Sequence, residues 1–391
     1  MKLSVLILVG QVCGLPYLIS LKSNYTLDSF LSYDVKYPQS QQVKSLIDNS
    51  FTIGNFTGFA GDFTKSVIAR LKKCPLVAGM TPDIAVRAYE IQYEAPRHLA
   101  RISQRDTLAG FEYSYGYNDN ATGKGVIAYV LDSGVSIEHP EFEGRAKFGK
   151  DFTGEGPGDN NGHGTHVSGL IGSKTYGVAK EVEIVEIKVL DKSGGGSLST
   201  IISSLEFAVN HRIRSGKQGV VNMSLGSVRS DILNNAISAA IGTGLVFVVA
   251  AGNSNVNACS TSPASVEGAI TVGAIDDFND SLSPFSNWGK CVDIFASGTF
   301  VKSLNFHDFN NPEVLSGTSM SAPIVSGLVA NLLSVGVPAS EVKQILIELS
   351  TKGKISRTSL ILKRNTPNRI AYNGFIPSEE ESDDDSDFED S

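Results

Sequence analysis

The stretch Gly317-Thr318-Ser319-Met320-Ser321-Ala322-Pro323 places a serine just ahead of an apolar run, Ile324 to Leu333, with helical spacing. A serine at a helix N-terminus sits beside unpaired backbone N–H groups and the positive end of the helix dipole, which favour developing negative charge. Such a hydroxyl becomes a nucleophile only when a base takes its proton and a third group orients that base. Most Gly-Thr-Ser triplets are ordinary loops or N-caps, so the partners must come from elsewhere. His163 opens a helical run in Asp159-Asn160-Asn161-Gly162-His163-Gly164-Thr165-His166, and its flanking glycines let another backbone approach closely. His166, one turn later, competes for the same role. A His-x-x-His spacing also fits a metal, but no H-E-x-x-H signature or carboxylate partner accompanies it. Asp132 follows the apolar run Val126 to Leu131, where it could orient an imidazole or simply cap the turn at Gly134. Asn253 ends Val249-Ala250-Ala251-Gly252-Asn253, where an amide could donate to an oxyanion or stabilise a turn.

These residues gain meaning from the elements that carry them. From Gly125 onward strand-like and helical runs alternate: Val126–Leu131, then His163–Ile171; Val182–Leu190, then Leu198–Ile213; Val220–Met223, then Ile232–Ile241; then Leu245–Val249. The alternation predicts an α/β fold, a parallel sheet covered by helices on both faces. Ligands in such sheets bind beyond the carboxyl ends of the strands. Asp132 and Asn253 stand there, as do Ser224-Leu225-Gly226 and Gly194-Gly195-Gly196. The last two segments are extended and poor in side chains, suited to pairing with a peptide backbone.

The remainder of the chain bounds the function. The net charge of −8 is concentrated at the end, since Glu379 to Asp390 carries nine acidic residues and no basic one. The rest is close to neutral, without a basic face for nucleic acid, and no internal apolar run is long enough to span a bilayer. The acidic stretch cannot support a packed core and is expected to be disordered. Lys2 followed by apolar Leu3 to Gly14 reads as a secretory signal cleaved between Gly14 and Ser20, or alternatively as a buried first strand. A secretory route permits disulfides. Cys259 and Cys291 could form a bridge worth about 3 kcal/mol, or remain two buried thiols. Asn24, Asn55, Asn120 and Asn279 begin glycosylation sequons; Asn222 does too, but inside an apolar strand. Ahead of the alternating region, Tyr17–Leu21 reads as a strand, followed by polar, loosely helical sequence, a strand-like run Phe51–Phe59 broken by glycines, an amphipathic helix over Thr64–Lys73 and an apolar run Pro75–Met80. Ile84-Ala85-Val86 follows, and the order of strand, helix, strand, strand, helix, strand suggests a small α+β unit ending near Ala88 to Glu94.

Taken together, Val130-Leu131-Asp132-Ser133-Gly134, His139-Pro140-Glu141-Phe142-Glu143-Gly144-Arg145, Gly162-His163-Gly164-Thr165-His166-Val167, Asn222-Met223-Ser224-Leu225-Gly226, Ala250-Ala251-Gly252-Asn253 and the Ser319 stretch resemble the subtilisin-like serine proteases. The likeness is nearest to the proteinase K branch and its fungal cerevisin-type members and covers about Ala95 to Val335. It implies a Ser319 nucleophile, a His163 base and an Asp132 orienting group, in the Asp-His-Ser order of subtilisins. An α/β-hydrolase would need G-x-S-x-G, and Ser321 stands where its last glycine belongs. Asn253 matches the oxyanion amide. The N-terminal unit is similar to the family's ferredoxin-like inhibitory propeptide, cut by the enzyme itself between Val86 and Glu94. The implied organisation is a signal over residues 1–15, a propeptide over 16–93, a peptidase domain over 94–375 and the acidic tail over 376–391.

The resemblance also implies pocket walls from Ser224-Leu225-Gly226 and Ala250-Ala251-Gly252, with Thr261 at the floor, beside the backbone-pairing segment Gly194-Gly195-Gly196. These walls are uncharged, so cleavage after apolar or aromatic residues is expected. It implies a Cys259–Cys291 disulfide and no cofactor for catalysis. Asp293 matches a calcium-ligating carboxylate of the branch, which leaves a structural calcium open. Ser168 and Ser297 depart from a common alanine and a common proline, and neither removes a catalytic group. The expected partners are protein or peptide substrates and the chain's own propeptide, for a monomer that is extracellular, in the cell wall or in the vacuole. The rival is a catalytically silent structural protein that keeps its propeptide.

Overall fold

The computed structural model describes residues 15–83 and 89–375, in two compact units divided at Val86/Arg87. The first begins with β1 (Leu15–Leu21), in which Ile19 and Leu21 are buried on one face with the period of two expected of a strand. Helix α1 (Leu27–Asp34) starts with a reciprocal cap. The Thr26 hydroxyl accepts from the Ser29 N–H at 3.2 Å, and the Ser29 hydroxyl accepts from the Thr26 N–H at 2.9 Å. The glycine-broken run from Phe51 to Phe59, expected to supply two successive strands, is a hairpin of β2 (Ile47–Ile53) and β3 (Phe56–Phe63). Gly54, at φ 59°, reverses the chain between them. Thr64 caps α2 (Lys65–Leu71), whose Val67, Ile68 and Leu71 are buried, and β4 (Val77–Pro82) completes the unit. The strands run antiparallel in the order β2-β3-β1-β4. Phe30, Phe59 and Phe63 centre the core between sheet and helices.

Residues 1–14 of the expected signal, the run Ile84 to Val86 and the acidic tail lie outside the described residues. Leu15 to Ser20, the later part of the expected cleavage window, belong to β1, which lies between β3 and β4.

The second unit opens with β5 (Tyr89–Gln92), α3 (Arg97–Ser103) and β6 (Tyr115–Asn118); β5 and β6 pair antiparallel. Then follow β7 (Val126–Asp132), β8 (Ala146–Asp151), α4 (His163–Gly172), β9 (Glu183–Lys188), α5 (Leu198–Ser215) and β10 (Gln218–Met223). Next come β11 (Ser227–Val228), α6 (Asp231–Ile241), β12 (Val246–Ala250), β13 (Thr261–Ser262), β14 (Ile270–Asp276), β15 (Ser281–Leu282) and β16 (Ile294–Ser297). The unit closes with β17 (Val301–Ser303), β18 (Glu313–Leu315), α7 (Thr318–Ser334), α8 (Ala339–Leu349), β19 (Thr351–Lys352) and β20 (Arg369–Ile370). The main sheet runs β19-β20-β16-β14-β12-β10-β7-β9-β8 and is parallel from β20 to β8; β19 and the appended β15 pair antiparallel.

Strand β7 shows why its sequence is apolar throughout. Val126, Ala128 and Val130 enter a core built with α4 and α7, while Ile127, Tyr129 and Leu131 enter a second core built with α5 and α6. A strand packed on both faces reads as a continuous apolar run. Helix α7 is buried along most of its length and packs against β7, β10, β12, β14 and β16. The strands' carboxyl ends and the α7 N-terminus therefore meet at one edge.

Candidate active site

Asp132 is the last residue of β7 and is fully buried, while His163 is the first residue of α4 and is partly exposed. Two glycines bring them together. A β-carbon on Gly164 would overlap the Gly134 carbonyl oxygen, and one on Gly134 would overlap that of Gly158. These glycines thus accommodate the chain's own backbone around the Asp132 turn. The His163 imidazole bonds through Nδ1 to Asp132 Oδ1 at 2.7 Å, and the same oxygen accepts from the Ser133 N–H at 2.8 Å. Burial works against the imidazolium, but the Asp132 charge and hydrogen bond, with Asp159 and Glu313 beyond, outweigh it and raise the His163 pKa. Nδ1 donating to Asp132 leaves Nε2 free to accept a proton.

His166 has a different environment. It is fully buried, its Nε2 lies 3.1 Å from the Val301 carbonyl, and burial lowers its pKa to about 3. It is a neutral core histidine, and the two rings do not converge on a shared ligand.

Asp159, which sequence reasoning quoted but did not assign, holds the start of α4. Its Oδ1 accepts from the Ser133 hydroxyl and the N–H groups of Asn161 and Gly162, each at 2.9 Å. Its Oδ2 accepts from the Thr165 N–H at 2.9 Å and hydroxyl at 2.7 Å. Asp159 stands three residues before the N-cap Gly162, outside the position where an aspartate signals a helix start, so its part here comes from the folded loop.

Ser319 is the second residue of α7. Its hydroxyl donates to the Ser224 carbonyl at 3.2 Å, and the Ser224 hydroxyl donates back to the Ser319 carbonyl at 2.8 Å. Pro323, four residues later, lacks the N–H that would otherwise bond that carbonyl within the helix. Ser224 replaces the missing donor. Buried Asn222 extends the brace, donating to Ser224 Oγ at 3.0 Å and accepting from Ser326 Oγ at 2.9 Å. Asn253 accepts through Oδ1 from the Thr318 N–H at 2.8 Å and hydroxyl at 2.9 Å. With Oδ1 engaged, its amide N–H groups are left to donate elsewhere. The Ser319 N–H lies in the first turn of α7, where no helical acceptor precedes it.

Asn161, His163, Gly194, Gly195, Gly196, Ser224, Leu225 and Gly226 line one cleft of about 520 Å³. Its apolar end is made by Leu190, Leu198, Ile201 and Leu233, which sequence reasoning had read only as parts of elements. Ala250 and Ala251 do not line this cleft; both are packed into the hydrophobic cores. Gly252 does not line it either; its N–H donates to the Thr318 hydroxyl at 3.0 Å. Thr261 pairs with Val228 in the β11–β13 ladder, and its neighbour Ser262 reaches the cleft wall.

Cys259 and Cys291 form a disulfide, and Cys74 is a buried free thiol. Asn24, Asn55 and Asn279 are exposed and Asn120 is half-buried, whereas Asn222 is fully buried in β10. Ser168 and Ser297 are both buried. The surroundings of Asp293 do not fit a calcium ion, because the Lys343 ammonium lies 2.9 Å from its Oδ2.

Residues 123–372 match the Subtilase family and residues 20–89 match Peptidase inhibitor I9. The chain belongs to the subtilase family and is a serine endopeptidase with an I9-type N-terminal domain. It is similar to subtilase-type proteinase RRT12 of Saccharomyces cerevisiae, 42% identical over 94% of this chain and 84% of that protein. It is also similar to cerevisin of Saccharomyces cerevisiae, 40% identical over 84% of this chain and 55% of that protein. Among solved structures, that of a cold adapted subtilisin-like serine proteinase is 40% identical, with a TM-score of 0.65. It covers 73% of this chain and all of its own.

Proposed function

We propose that this subtilase is a self-processing zymogen that cleaves peptide bonds through Ser319, His163 and Asp132, with Asn253 as the oxyanion amide. The observation that carries the reading is the 2.7 Å His163–Asp132 hydrogen bond at a cleft whose wall, Ser224, is bonded to Ser319. His163 Nε2 takes the Ser319 proton as Oγ attacks the peptide carbonyl carbon. The oxyanion receives hydrogen bonds from Asn253 Nδ2 and the Ser319 N–H. Collapse breaks the C–N bond, and His163 returns the proton to the leaving amine. Water, deprotonated by His163, then releases the acyl group and regenerates Ser319.

The apolar, uncharged cleft supports cleavage after apolar or aromatic residues. The three-residue segments at Gly194 and Ser224 supply backbone for an extended substrate. The I9-type unit is the intramolecular inhibitor. A cut before Tyr89 would leave β5 paired with β6 in the peptidase unit, whereas a cut at Glu94 would sever β5 from its chain. The exposed sequons at Asn24, Asn55 and Asn279 and the half-buried one at Asn120 accord with a secretory route to the cell exterior, wall or vacuole.

The test is paired secretory expression of the full chain and Ser319→Ala, with termini followed by immunoblot and a fluorophosphonate probe applied to both. The expected result is propeptide loss and labelling in the parent alone. A folded, processed parent that takes no label overturns the assignment.

A further inference from the structure

The loop between β13 and β14 meets α8 at the ammonium of Lys343. Its Nζ donates to the carbonyl oxygens of Glu267 at 2.8 Å and Ala269 at 2.7 Å, and it lies 2.9 Å from Asp293 Oδ2. Asp293 is itself fixed, since Oδ2 also accepts from the Thr271 N–H at 2.9 Å and its own N–H donates to the Thr271 carbonyl. Two backbone carbonyls and one carboxylate converging on a point form the start of an oxygen shell for a hard divalent cation, with water completing the coordination. An ammonium carries three donors, and this geometry offers it three oxygen acceptors. A cation and Lys343 cannot share those oxygens, and the hollow around them also presents Arg229 and Lys290.

We propose that Lys343 is a tethered cation that takes the place of a structural calcium ion among Glu267, Ala269 and Asp293. The chain thereby holds this loop with its own side chain. The loop matters to the cleft because it begins at Ser262, which lines the wall, and it is flanked by the Cys259–Cys291 bridge. The inference concerns the scaffold and stands whether or not Ser319 is the nucleophile.

The experiment measures the thermal midpoint and bound calcium of the full chain carrying Ser319→Ala, which suppresses self-digestion, with and without Lys343→Ala. In chelator, removal of the ammonium is expected to lower the midpoint by about 5 °C, because Asp293 loses its partner. Millimolar calcium should then recover much of that loss by binding the vacated oxygens, while the Lys343-containing chain gains nothing comparable. Equilibrium dialysis should find one more calcium per chain in Lys343→Ala, and adding Asp293→Asn should abolish it. Lys343→Gln, which removes the charge but keeps much of the stem, is the second variant should alanine fail to fold. A variant that calcium does not rescue, or equal calcium stoichiometry with and without Lys343, overturns the proposal.

Discussion

The corner formed by β7 and α4 and the corner formed by β10, β12 and α7 contribute opposite halves of the site, and they are held by different chemistry. The first relies on carboxylates: Asp132 fixes His163, while Asp159 gathers the backbone at the start of α4. The second relies on amides, hydroxyls and backbone groups, through Asn222, Ser224, Asn253 and Thr318 around Ser319. A base that must become an imidazolium is favoured by nearby negative charge. An oxygen that must become an oxyanion is not, so a carboxylate beside Asn253 or Ser319 would oppose the reaction. The division of charge follows the division of chemical labour.

The largest break of this comparison is Asp132→Asn, which keeps the shape of the first corner while removing its charge. A fall of about 10⁴ in kcat is expected on a peptide substrate, since the amide no longer favours the required tautomer. Its pH profile sharpens the point. The base must be neutral, so activity rises as pH passes upward through the His163 pKa, which Asp132, Asp159 and Glu313 hold above its ordinary value. Loss of the Asp132 charge should move that limb to lower pH. A limb unmoved by Asp132→Asn would separate the carboxylate from the basicity of His163.

Asn253→Ala attacks the neutral corner. Removing the amide donor should cost about 3 kcal/mol of transition-state stabilisation, or 10²–10³ in kcat, without moving the pH limb. Since Thr318 loses its acceptor too, a thermal midpoint measured alongside separates lost catalysis from lost folding. Ser224→Ala is the mildest test. It removes the donor to the Ser319 carbonyl left open by Pro323, and a loss of about 1 kcal/mol, roughly fivefold in kcat/KM, is expected from a misplaced nucleophile. Unaltered kinetics would make the Ser224 hydroxyl dispensable for positioning.

Much of this arrangement was legible locally. Alternating strands and helices require a two-faced parallel sheet, and strand ends mark its functional edge. In the N-terminal unit the glycines that break the run Phe51 to Phe59 were visible, but the pairing of Ile53 with Phe56 shows which of them turns the hairpin and where its strands lie. The residues alone left His163 and His166 competing, and the family resemblance, not local chemistry, favoured His163. The two imidazoles are chemically identical, and their difference comes from Asp132 against one ring and Val301 against the other.

The sequence by itself determined the residue types, the order Asp132, His163, Ser319, and the apolar periodicities that carry each to an element end. Tertiary structure decided the contacts among segments far apart in the chain. It joined Ser224 to Ser319 and, at Asp293, set the Lys343 ammonium among three oxygens. The physical reason is range: periodicity and capping act over a few residues, whereas which charge faces which oxygen depends on the packing of the whole sheet.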